Sequence, residues 1–143
     1  MVLVKKKRVY LNTKRTKYCI VELYAKKTDM QNRYKTICIR RGYPDKGHFK
    51  VEGVSLHYEK LTNGKLLSET GTVLLHLKEC GAGVVAHELL HAVLWANKHK
   101  KYKKQYPIVI KNMKEEERIL QNFTFAVIGF YNWYWKIKDS LIA

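Results

Sequence analysis

One short run constrains this chain more than any other. Val84 to Ala96 read VVAHELLHAVLWA, and every ionisable side chain in it falls at His87, Glu88 or His91. Its length and apolarity predict a helix. A helix turns about 100° per residue, so positions four apart lie one above the other on a single face. His87 and His91 at that spacing can grip one metal ion, and Glu88 stands beside them. Left unpaired in so apolar a segment, two imidazoles and a carboxylate would cost several kcal/mol. A bound cation with an activated water accounts for their presence, because H-E-x-x-H on a helix is the spacing at which two histidines hold zinc and the glutamate serves as base. The bland alternative is a buried helix with two hydrogen-bonded core histidines and a paired glutamate.

Catalytic zinc takes three protein ligands and leaves a position for water. A second helix, expected from near Lys114 to about Lys138, carries Glu115, Glu116 and Glu117 in its first turn. Steps of three or four from Glu116 land on Ile119, Leu120, Phe123, Val127 and Tyr131, an apolar face, whereas Glu115 leads to Gln121 or Asn122. The pattern predicts Glu116 as the inward-pointing third ligand, with Glu117 second. The alternative for this cluster is a helix start whose acids complement the helix dipole. Glu88 is then the catalytic base that takes a proton from water. His76, on the strand face opposite Val73 and Leu75, is a candidate contact for substrate or transition state, or else a partly exposed strand residue. Tyr102, Tyr106 and Tyr131 are further donors that nothing singles out among ten tyrosines.

The remaining segments predict an α+β fold. Residues 1–17 form a basic N-terminal arm, Cys19 to Ala25 a strand, and residues 29–40 a helix capped by Thr28. Arg40 to Lys50 reads as a loop. Residues 51–61 and a strand ending at Thr72 to Leu77 flank Asn63-Gly64 as a hairpin. The second strand runs almost directly into the H-E-x-x-H helix, placing an extended edge beside the metal on which a peptide substrate can pair. The expected architecture is a single minimal zincin-like domain over 1–143. Its short, mostly antiparallel sheet packs against the motif helix and a C-terminal antiparallel helix.

Lys and Arg outnumber Asp and Glu by 28 to 12, a net charge of +16. That charge favours acidic partners, nucleic acid among them, although the cations are spread along the chain. Lys98 to Lys104 is a solvated connector or a phosphate-contacting patch. Three cysteines without C-x-x-C spacing exclude a disulfide framework and a four-cysteine zinc site, and suit a reducing compartment. No apolar leader follows the basic N-terminus, so a cytoplasmic protein is expected. Phe123 to Trp135 is too short, and too interrupted by Asn132, for a membrane span. Aromatic side chains encircle that helix, which predicts cover from the N-terminal strand and helix or from a second copy, so oligomeric state is left open.

The run GAGVVAHELLHAV at Gly81 to Val93, preceded by TGTVLLHL and followed by KEEERIL at Lys114 to Leu120, resembles the small gluzincin-like metallopeptidases of phages and mobile elements. In broad plan it is similar to the ImmA/IrrE group. The resemblance covers Thr70 to about Ile128. It implies a zincin core in which His87, His91 and Glu116 or Glu117 bind Zn2+ and Glu88 is the base. It differs from that group in carrying Leu89-Leu90 inside the motif and in the residues around its third acid. The expected function is a zinc metallopeptidase acting on an intracellular protein target. Two alternatives stand beside it: a catalytically silent, zinc-stabilised protein that binds nucleic acid or an acidic partner, and a DNA-associated protease held on its substrate by charge.

Overall fold

The computed structural model describes residues 3–40, 53–61, 68–97 and 113–142. Four strands and three α-helices follow one another as β1 (Leu3–Tyr10), β2 (Lys17–Tyr24), α1 (Lys27–Arg40), β3 (Gly53–Leu61), β4 (Ser68–His76), α2 (Ala82–Ala96) and α3 (Met113–Ile142), with one 3-10 turn at Leu77–Glu79 before α2. The strands form one sheet in the order β1-β2-β4-β3. β3 and β4 pair antiparallel, as the expected hairpin; β1 and β2 also pair antiparallel, while the central pairing of β2 with β4 is parallel. The chain is α+β.

β2 shows why the sheet is covered on both sides. Cys19, Val21 and Leu23 point to one face, where with Val73 and Leu75 they pack on Val85, Leu89, Val93 and Phe130 of α2 and α3. The alternate residues point to the other face, where Tyr24 and Leu74 meet Met30 and Ile37 of α1. Glu22 also lies there, buried but satisfied: Arg33 Nε donates to it at 3.2 Å and the Tyr24 hydroxyl at 2.6 Å. α1 thus covers one face, and α2 with α3 the other.

Several sequence expectations are corrected here. The basic arm is largely the edge strand β1, whose Lys5, Lys6 and Lys7 stay exposed while Val9 is buried. Charges on an edge strand hinder pairing with another chain, so this composition suits a strand as well as a tail. Helix α1 begins one residue before Thr28, its first turn closed by the Lys26 carbonyl, which accepts from Asp29 and Met30. β4, the strand that leads to the motif helix, is flanked by β2 and β3 and presents no edge; among the described residues the edge strand on that side is β3. Of the strand and helix expected to cover α3, the strand, β2, shares a core with it while α1 covers the opposite face of the sheet; β1, expected as an arm, also lies against α3. Arg40, expected to open a loop, ends α1 instead; the rest of the expected 40–50 loop, the Asn63-Gly64 turn, the Lys98 to Lys104 connector, Tyr102 and Tyr106 lie outside the described residues.

The antiparallel course of α2 and α3 is fixed at both ends. At one end Asn122 Nδ2 donates to Asn97 Oδ1 at 3.0 Å, just past the last turn of α2. Asn97 Nδ2 donates to the carbonyls of Leu11 and Val93, and Asn122 Oδ1 accepts from Thr13 N. Two buried amides thereby join α2, α3 and the β1–β2 turn. At the other end the Tyr131 and Tyr134 hydroxyls donate to the carbonyls of Cys80 and Leu77. No helix among the described residues is long and apolar enough to cross a membrane.

Candidate metal centre

Helix α2 turns its apolar stripe inward: Val85, Leu89, Ala92, Val93 and Ala96 are buried, and Glu88 falls on the same stripe. His87 is exposed and His91 half-buried, so the two imidazoles line the border between the buried stripe and solvent. The i, i+4 spacing brings their rings to 4.7 Å between centroids, and the two Nε2 atoms to 3.1 Å of one another. A carboxylate oxygen of Glu88 lies 3.9 Å from His87 Nε2. Two imidazole nitrogens on one tetrahedral zinc, at the usual bond length, stand about 3.3 Å apart, so this donor pair fits such an ion.

Burial gives Glu88 its electrostatic character. Desolvation raises its carboxyl above the ordinary value, and only the neighbouring His87 pulls it back. His91 shifts the other way, held below the usual imidazole range first by burial and then by His87. A neutral imidazole is the form that binds a metal, and a carboxylate of raised basicity is the better proton acceptor.

The wall facing Glu88 is β3. Gly53 sits so close that a Cβ there would stand 3.1 Å from Leu75 and Val84 and 3.3 Å from Cγ of Glu88. Glycine lets the strand come against the stem of the base. Two residues along the same face, Ser55 Oγ is buried without a hydrogen-bond partner among the described residues. Sequence reasoning missed both residues; the only signal was a glycine inside a strand-like run, a mark of close backbone approach.

The structure brings His87, Glu88 and His91 together and leaves the other expected site residues elsewhere. Glu116 and Glu117 are both exposed, and Glu115 is the half-buried one of the three. The buried seam of α3 is Ile119, Asn122, Ala126, Phe130, Tyr134 and Ile137, and one turn back from Ile119 it meets Glu115. Asn122 carries that seam although it is polar, because Asn97 satisfies it; stepping only through apolar residues therefore rotated the inferred face toward Glu116. The position along the axis matters more. With Asn122 beside Asn97, the first turn of α3 extends beyond the C-terminal end of α2, while His91 lies six residues, about 9 Å, in the other direction. No group of three or more His, Cys, Asp or Glu suited to a metal occurs among the described residues.

His76 ends β4 on the α1 side of the sheet, its Nε2 3.0 Å from the Ala25 carbonyl and its Nδ1 3.8 Å from Glu79. It does not meet the histidine pair. Tyr131 is committed to the Cys80 carbonyl. Compared with protein-family models, curated proteins and solved structures, the chain matches none.

Proposed function

We propose that the chain is a zinc-dependent peptidase of the gluzincin-like kind that its motif resembles. The observation that carries this reading is the convergence of His87 Nε2, His91 Nε2 and the Glu88 carboxylate at one point of an otherwise apolar helix. His87 and His91 would hold Zn2+ together with a third ligand that the described residues do not supply, and the ion's chemistry there would be to acidify water and polarise a carbonyl. Glu88 takes the proton of the attacking water on a carboxylate oxygen and passes it to the leaving amine. A substrate main chain adds along β3, the edge strand on that side among the described residues, where Gly53 keeps the strand against the base. The burial of Glu88 favours turnover over a purely structural site, because a structural zinc needs no desolvated base beside it.

Zinc content by elemental analysis is the test, run on the native protein, Glu88→Gln and the His87→Ala/His91→Ala double variant. The expected result is one zinc per chain in the first two and none in the third. Peptide cleavage is expected from the native protein and should fall by roughly 10²–10⁴ in Glu88→Gln. Absence of metal from the native protein between mildly acidic and neutral pH overturns the reading.

A further inference from the structure

Among the described residues β1 is an edge strand, and the sequence loads it with exposed Lys5, Lys6, Lys7 and Arg8. Protection from edge pairing explains lysines there. It does not explain what surrounds them. Between β1, the turn that follows it and α3 lies a cavity of about 330 Å³, whose wall combines Lys7, Arg8 and Arg15 with Tyr10, Phe125 and Asn132. The Arg15 guanidinium carbon stands 5.9 Å from the Tyr10 ring centre and 5.8 Å from that of Phe125, and the Arg8 guanidinium lies 4.1 Å over Tyr18. A second cavity of about 310 Å³ adjoins the same turn and holds Lys14, Lys17 and Arg118. Among the described residues, no carboxylate lines either one.

The backbone adds an independent sign. Arg15 has φ of 56°, a left-handed conformation that glycine or asparagine adopts far more readily. The turn is locked there by Asn12: its carbonyl accepts from Arg15 N, and its Oδ1 accepts from Thr16 N and Lys17 N. A position where glycine would relax the chain instead carries a guanidinium into the first cavity, beside the second.

We propose that this edge binds single-stranded nucleic acid. Phosphates lie on Lys7, Arg8, Lys14 and Arg118, and bases stack at Tyr10 and Phe125 with Arg15 between them. Rings and a side-chain amide inside a cavity of nucleotide size can reach only unstacked bases, which favours a single strand over a duplex. An acidic peptide would use the cations and leave the rings idle. This site stands apart from the histidine pair, whose neighbour Glu88 lies against Gly53 of β3 at the opposite edge of the sheet, so either can exist without the other.

The test is fluorescence anisotropy with a labelled oligothymidylate of about a dozen nucleotides, a duplex of the same length and polyglutamate. Arg15→Gly suits the backbone of the turn and removes the central cation; Phe125→Leu removes a ring; Lys35→Ala removes one exposed charge from α1, which lines neither cavity. The expected result is a loss of about tenfold or more in single-strand affinity for Arg15→Gly and for Phe125→Leu, and less than about twofold for Lys35→Ala. Equal losses for Arg15→Gly and Lys35→Ala would mean diffuse attraction and overturn the proposal. So would duplex binding as tight as single-strand binding, or polyglutamate binding that alone depends on Arg15.

Discussion

Glu88 and His91 lie within one turn of each other and are pushed in opposite directions by the same burial. Glu88 has its carboxyl raised, so its ionised form costs the fold stability; the cost is absent below the unfolded value and grows as pH rises through the native one. His91 has its imidazole lowered, so its stabilising contribution is present above the unfolded value and is lost as pH falls toward the native one. Metal-free Glu88→Gln should therefore melt a few degrees above the native chain at neutral pH. That advantage should vanish on acidification toward 4.5, the carboxyl's ordinary value. His91→Ala should weaken the native chain's loss of stability below 6.5, the ordinary imidazole value. Thermal melts across that range check both. The proximity of His87, Glu88 and His91 was legible because helical spacing alone brings them together. Gly53 and Ser55 were not, because their neighbourhood with Glu88 depends on which strand ends up beside α2.

Helices carried their meaning in sequence more openly than strands did. The apolar run of α2 and the long periodic α3 stand where their patterns place them, with ends shifted by a few residues. The face of α3 was misread for a reason specific to Asn122: a buried amide with a full set of partners occupies a seam that hydrophobicity alone draws elsewhere. That amide is also the joint between helices. Asn122→Leu removes the donor to the buried Asn97 Oδ1 and the acceptor for Thr13 N at the exposed turn, leaving one buried polar atom unmatched. It should cost about 2–3 kcal/mol in urea unfolding. A loss near zero would mean that water or a shifted turn replaces both bonds. Edge strand β1 was taken for an arm because its lysine run hides the alternation that buries Val9.

At the scale of the whole molecule, the α+β class follows from the succession of patterns, but the strand order does not. The parallel pairing of β2 with β4 joins segments separated by α1 and β3, and no local signal in either strand encodes it. The core it creates encloses two thiols: burial pushes both Cys19 and Cys80 up to about 12. Native protein at pH 8 should therefore alkylate at these positions far more slowly than unfolded protein. Mass spectrometry of iodoacetamide-treated samples along a urea gradient should show both becoming reactive in one transition, at the midpoint seen by circular dichroism. Reaction of Cys80 well before Cys19 would show that the entry to α2 opens separately from the sheet.

The order β1-β2-β4-β3 also sets a length. Three inter-strand steps place the outer strands about 14 Å apart. They belong to one continuously bonded sheet, with no hinge between them. A ligand gripped along β1 and a chain laid along β3 would be held at that gauge, like two rails on common sleepers, so reach across the molecule would come from the ligands and not from the protein.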